Sequence, residues 1–183
     1  MSQLKKDATA IDQMASPSIQ QYQSIRQFIL SQDDYDPATD ELRFLDRQFR
    51  DRQFSSVIEI SESLRSIWQL SPKFHYLTGS AAIECGRLEL AKRSQYLFQV
   101  CLDFLLQTGD GSMQKPYEIT YFSDIQDILA ILDADVRCQQ VVNRDGCVFD
   151  VATLHNGEDI WFNADPLNKK INLASREQAK IAV

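Results

Sequence analysis

Six glycines, five prolines and two histidines in 183 residues leave this chain poor in the groups that usually mark a chemical site. The histidines, His75 and His155, form no H-E-x-x-H pattern, and the four cysteines (85, 101, 138 and 147) contain no C-x-x-C pair and no zinc-ligand spacing with either histidine. The glycines fit neither a phosphate loop nor a dinucleotide fingerprint, and no G-x-S-x-G elbow or paired catalytic carboxylates are present. No apolar run approaches the roughly 20 residues of a membrane span, and Met1–Ser16 carries two lysines without the apolar core of a secretory signal. Positive charge is also scarce. Nineteen Lys and Arg face 26 Asp and Glu, a net charge of −7, which argues against the clustered cationic surface that nucleic acid requires. These absences predict no catalytic residue, metal, cofactor, nucleic acid or membrane. Free thiols in a reducing cytoplasm are the expected state of the cysteines, with a disulfide as the second reading.

What remains has an ordinary globular make-up, 44% hydrophobic and 25% charged, and the length suits one domain or one with a small appendage. Its organising stretch is Ser71–Gln107. Ser71-Pro72 is a serine cap followed by proline at the first helical position, where the missing N–H goes unneeded. Phe74, Leu77, Ala81 and Cys85 then recur at helical spacing. Gly86 permits reversal, after which Leu88, Ala91, Phe98, Cys101, Leu102 and Leu105 resume the period. Two helices joined so tightly must pack antiparallel, and Gly79, Ala82 and Ala91 would allow close approach.

Three more helices are expected upstream. One follows Ser16-Pro17, with Ile19, Tyr22, Ile25 or Arg26, and Ile29 on its apolar face. A second spans about Pro37 to Arg50, capped by Asp36 and burying Leu42, Leu45 and Phe49. A third runs from about Gln53 to Gln69, burying Phe54, Val57, Ile60 or Ile58, Leu64 and Ile67. The acidic run Asp33-Asp34-Tyr35-Asp36 lacks the sixth-position glycine and twelfth-position glutamate of a calcium loop.

With Gly79, Gly86 and Ala91 at the small-residue, turn and second-helix alanine positions, residues 37–107 resemble a degenerate tetratricopeptide repeat, a helix–turn–helix unit of about 34 residues. His75, Thr78 and Ala82 occupy that repeat's tryptophan, leucine and tyrosine positions. The resemblance implies a groove lined by first helices that grips a peptide.

After Thr108 the periodicity changes. Tyr117–Tyr121 alternates as a strand does. Ser123 with Gln126 reads as a capping box opening a short helix that buries Ile125, Ile128, Leu129 and Leu132. Val136–Val142 and Cys147–Leu154 flank a two-residue turn at Asp145-Gly146, and Asn156-Gly157 leads into Asp159–Asn163 through a second turn of that kind. Two-residue turns pair Val142 with Phe149, Cys138 with Thr153, Val151 with Phe162 and Thr153 with Ile160. Val136, Val142, Phe149, Val151, Ile160 and Phe162 would then share one face. Thr108–Ser112, Tyr117–Ile119 and Ile160–Asn163 also resemble an uncharacterised bacterial domain-of-unknown-function family, a likeness that implies architecture and no chemistry.

The expected fold is α+β. A leader (1–16, disordered) precedes helical hairpins (17–108), which are packed on a small antiparallel β-meander with one helix (109–164) and followed by a mobile tail (165–183). The expected function is a non-enzymatic protein-interaction or scaffold module of the bacterial cytoplasm. Arg43, Arg47, Arg50, Lys73 and His75 on the first helices would hold an acidic protein or peptide partner. The plain alternative is a solvated face, since Asp40, Glu41, Asp46 and Asp51 lie at ion-pair spacings from those arginines. A rival function is a small-ligand site or hydrolase at the turn Gly109, Asp110, Gly111 and Ser112, whose N–H groups would converge on an anion. A helix-ending, domain-joining turn is the favoured reading there. Asp124, Asp127, Asp133 and Asp135 suggest a metal, but a helix N-terminus and solvent account for them. A third reading is self-association through the sheet's edge strand.

Overall fold

The computed structural model describes residues 17–172, so the expected leader and residues 173–183 lie outside the described part. The described residues have α+β architecture and divide into two compact units: one takes in residues 17–32 and Thr39–Phe104, the other Asp33–Ala38 and residues 105–172.

The first unit is helical: α1 (Ile19–Ser31), α2 (Glu41–Arg50), α3 (Phe54–Trp68), α4 (Pro72–Glu84) and most of α5 (Leu88–Gln107). Helix α1 is capped by Ser18 rather than Ser16. Ser18 Oγ accepts from Gln21 N–H and Gln21 Oε1 accepts from Ser18 N–H, a reciprocal capping box. Ile25, not Arg26, is buried beside Tyr22 and Ile29. Helix α2 starts four residues later than expected. Asp36 Oδ1 accepts from Ala38 N–H, closing an Asx turn instead of capping a helix. In α3, Ile58 is buried and Ile60 only partly so. The buried Trp68 indole at its end donates to Glu41 Oε2 at 2.8 Å, fastening the end of α3 to the start of α2.

The reversal after α4 is a Schellman turn. Cys85 is the C-cap, Gly86 has φ +69°, Gly86 N–H donates to Ile83 O, and Arg87 N–H donates to Ala82 O. Helix α5 returns antiparallel along α4: the Tyr76 and Phe98 rings lie 6.3 Å apart, and a Cβ on Gly79 would stand 3.0 Å from Ser94 Cβ. Phe74, Leu77, Ala81, Ala91, Leu97 and Cys101 fill this part of the core. Two assignments change here. Leu97 rather than Phe98 is buried, and Leu88 stands 62% exposed.

The second unit holds β1 (Tyr117–Glu118), α6 (Ser123–Ile131), β2 (Val136–Arg144), β3 (Cys147–Leu154), β4 (Asp159–Asn163) and a helix α7 over residues 165–172. Part of the expected mobile tail is therefore ordered helix, with Leu167 fully buried and Asp165 accepting from Lys169 Nζ at 2.6 Å. The segment 33–38 also belongs to this unit, outside the boundary expected for it. Tyr35 is buried against Tyr121 in an edge-on contact, and its hydroxyl donates to the Thr120 carbonyl. Helix α6 forms without the expected capping box. Instead the buried Asp124 carboxylate accepts the N–H groups of Thr120 and Tyr121 at 2.7 and 2.9 Å, and Leu132 lies exposed beyond the helix.

The sheet runs in the order β1-β4-β3-β2 and is mixed: β1 pairs parallel with β4, so it is not the simple antiparallel meander expected. The turn at Asp145-Gly146 has two residues with positive φ, as a type I′ hairpin requires, and Val142 faces Phe149 and Cys138 faces Thr153 as expected. The second hairpin differs by one residue. Leu154 N–H donates to Glu158 O, leaving a three-residue loop that ends on Gly157 at φ +89°. Val151 therefore faces Trp161, and Thr153 faces Asp159.

A one-residue slip moves a strand's side chains to the other face. Ile160 and Phe162 thus share a face with Tyr117, Asp150 and Ala152, while Val142, Phe149 and Val151 share the opposite one with Trp161. Val151, Ala152, Ile160 and Phe162 are all buried, so β3 buries residues of both faces, while β4 buries Ile160 and Phe162 on one face and leaves Trp161 half-buried on the other. Burial pushes the Asp150 carboxyl above the usual carboxylate range, although Gln139 Nε2 donates to it at 2.7 Å. A raised carboxyl contributes stability at low pH and loses it as pH rises through the raised value. Asp150→Asn should accordingly raise the melting temperature at pH 7 and leave it unchanged near pH 3. Equal shifts at both pH values in thermal melts would contradict the burial account.

Candidate functional site

The hairpin α4–α5 carries a groove of about 440 Å³ on its surface. Tyr76, Gly79, Ser80 and Ile83 line it from α4, and Leu88, Ala91, Lys92, Gln95 and Phe98 from α5, with His75 at the edge. Its origin is periodic. The buried stripe of α4 runs through Phe74, Leu77 and Ala81, whereas Tyr76, Ser80 and Ile83 follow the same four- and three-residue steps on the neighbouring face. Ile83 is 63% exposed, Leu88 62% and Tyr76 55%. These exposed apolar side chains are gathered in one concavity. Gly79 forms the floor, because any side chain there would press on Ser94.

Lys92 is the sole charged residue in the lining, and its ammonium lies 3.1 Å from Glu89 in a pair open to solvent. Exposed pairs of this kind contribute about 0–1 kcal/mol, so Lys92 exchanges partners at little cost. His75 does not present a free imidazole. It is buried, with Nε2 2.8 Å from the Gln69 carbonyl oxygen, a contact that requires the proton on that nitrogen. The Cys101 thiol donates to the same carbonyl at 3.5 Å. Together they satisfy the carbonyl of the residue that caps the end of α3.

The other residues expected to bind a partner lie elsewhere in this unit. Arg43 pairs with Asp40 at 3.1 Å. Arg50 and Lys73 converge on one carboxylate, that of Asp46, at 2.7 and 3.4 Å. Arg47 is exposed on α2. Arg43, Arg50 and Lys73 are thus engaged in ion pairs, and of the five residues expected to bind a partner only His75 lines the groove. Tyr76 and Ile83 line the groove, and sequence reasoning missed them. Their signal was the apolar stripe offset from the core stripe.

In the second unit, the turn Gly109, Asp110, Gly111 and Ser112 is closed on itself. Asp110 N–H donates to Lys115 O, Ser112 N–H to Asp110 Oδ1, and Lys115 N–H to Ser112 Oγ. The Gly111 carbonyl accepts from Trp161 N–H, which extends the edge of β4 beyond β1. The Ser112 hydroxyl and N–H hold the Asp110 carboxyl below its ordinary range. Burial, and then Asp110, raise the nearby Tyr117 phenol. These N–H groups face carbonyl and carboxylate oxygens and do not converge outward on an anion. His155 lies 3.9 Å from Asp135, on another loop. Among the described residues no group of three or more His, Cys, Asp or Glu could hold a metal ion, and no helix is long and apolar enough to cross a membrane. No family model matches the chain, and no curated protein or solved structure matches it.

A Cβ on Gly109 would fall 2.3 Å from the Pro116 carbonyl oxygen, a clash with backbone that no rotamer relieves. Gly109→Ala should lower unfolding free energy by about 2 kcal/mol or more in urea titrations. Ser112→Ala, which removes two hydrogen bonds near solvent, should lower it by about 1 kcal/mol. Wild-type stability in Gly109→Ala would disprove the closed turn.

Proposed function

We propose that this chain is a non-enzymatic protein-interaction module whose α4–α5 groove receives a short amphipathic helix of a partner protein. The observation that carries the reading is the concave apolar surface of Tyr76, Ile83, Leu88 and Phe98, walled by two antiparallel helices. In a tetratricopeptide-like stack the next hairpin would pack against this side; here a partner's helix takes the vacant position. The lining holds one cation and no carboxylate, which favours an acidic residue beside the partner's apolar stripe. That retains the acidic partner expected from the sequence and transfers its recognition from the α2 arginines to Lys92. Supporting this over a ligand or hydrolase site at Gly109–Ser112 is the internal use of that turn's donors and of the Ser112 hydroxyl.

The experiment places a photo-reactive amino acid at position 80 in the source cells and maps the adduct by mass spectrometry. The crosslinked segment, synthesised as a peptide, is then titrated calorimetrically. The expected result is an amphipathic helical segment whose dissociation constant rises at least about tenfold (about 1.4 kcal/mol) with Ile83→Glu or Leu88→Glu. Both side chains are exposed, so stability should change by no more than about 0.5 kcal/mol. A crosslinked segment without an apolar helical face, or an affinity indifferent to both substitutions, would overturn the proposal.

A further inference from the structure

The sheet of the second unit ends on β2, a nine-residue strand that is largely exposed on both faces. The opposite edge strand, β1, has two residues and is continued by the Gly111 contact to Trp161. Natural edge strands are usually protected by a central charge, a proline, or their shortness. Between its terminal arginines β2 reads Cys138-Gln139-Gln140-Val141-Val142-Asn143, with none of these protections. At 69% exposure, Val141 is the most exposed of the large hydrophobic residues among those described.

The hairpin fixes which backbone groups face outward. Beside a two-residue turn, the flanking pair Arg144 and Cys147 exchanges both hydrogen bonds, and such pairs alternate along the ladder. Arg144, Val142, Gln140 and Cys138 therefore bond inward to β3. Gln139, Val141 and Asn143 turn their N–H and C=O groups away from the sheet.

We infer that β2 pairs antiparallel with β2 of a second copy of this chain, on a two-fold axis through Val141. In that register Val141 meets the partner's Val141 and Gln139 meets the partner's Asn143. These are the outward-facing residues, so each pair exchanges both backbone hydrogen bonds and the sheet runs unbroken through the two copies. Side chains agree with backbone. The exposed valines cover each other, and the Gln and Asn amides lie side by side at hydrogen-bonding range. Arg137 falls opposite the partner's Asp145, which is 93% exposed and only loosely paired, at 3.7 Å, with Arg144 of its own chain, so opposite charges meet at both ends. Registers centred on Gln140 or Val142 would put a residue already bonded inward to β3 on the axis, and they lose both the Val141–Val141 contact and the Arg137–Asp145 juxtaposition. The bulge between Val136 and Cys138 ends the regular ladder just where the arginine is reached.

Sedimentation equilibrium on the full chain tests the pairing, and the expected species has twice the 21.0 kDa chain mass. Val141→Lys should raise the dissociation constant by about tenfold or more. Arg137→Glu should weaken the dimer at low salt, and adding Asp145→Arg should restore it. The register is read by crosslinking. Cys138 stands opposite the partner's position 144 in a non-hydrogen-bonded pair, whose Cα separation of about 4.5 Å suits a disulfide. Arg144→Cys in a Cys147→Ser background should therefore yield, on oxidation, a covalent dimer with a 138–144 linkage between chains. A monomer at every concentration, a dimer indifferent to Val141→Lys, or crosslinks at other positions would overturn the inference.

Discussion

One left-handed residue sets up the first unit. Gly86, at φ +69°, ends α4 in a Schellman turn and sends α5 directly back along it. In that conformation a residue with a Cβ would be strained by about 1–2 kcal/mol. The immediate return brings Ser94 against Gly79 and forces the two helices into close contact. Close contact buries one stripe of each helix and leaves the adjacent stripes, Tyr76–Ile83 and Leu88–Phe98, facing each other across a concavity. The groove is thus a by-product of the same turn that makes the core, and it needs no dedicated scaffold.

The second unit depends on a different constraint, the length of a loop. His155, Asn156 and Gly157 form a three-residue connection, and the extra residue turns Ile160 and Phe162 to the face opposite the one a two-residue turn would give them. Trp161 thereby packs edge-on against Phe149 while Phe162 stacks near Tyr117 on the other side. Strand β3 becomes a two-sided core strand, with β4 buried on the face of Ile160 and Phe162. The strand outside them, β2, has exposed residues on both faces, Val141 among them, and ends up as the sheet's open margin.

Polar groups within each unit are used to close helix ends more than to build chemistry. Asp124 holds the Thr120 and Tyr121 amides, His75 and Cys101 satisfy the Gln69 carbonyl, and the Trp68 indole finds Glu41. Aspartate, histidine, cysteine and glutamate are often catalytic elsewhere. Their environments here are structural, because a buried helix terminus without a partner is costlier than a committed side chain.

Helix existence, the Ser71 cap, the Gly86 reversal and the Asp145-Gly146 hairpin were legible in the sequence, since each rests on contacts within a few residues along the chain. Periodicity does not distinguish which of two adjacent apolar stripes is buried, so it groups Leu88 with the core and does not mark Tyr76 or Ile83. Nor could it show the parallel pairing of β1 with β4, which joins residues 45 positions apart. The same holds for Tyr35, whose hydroxyl reaches the carbonyl of Thr120, and for the helix over 165–172 that buries Leu167. What the sequence determined by itself was therefore local: caps, turns and the period of each element. Tertiary structure alone decided which face of each element meets another, because burial is a property of neighbours that the local chain does not contain.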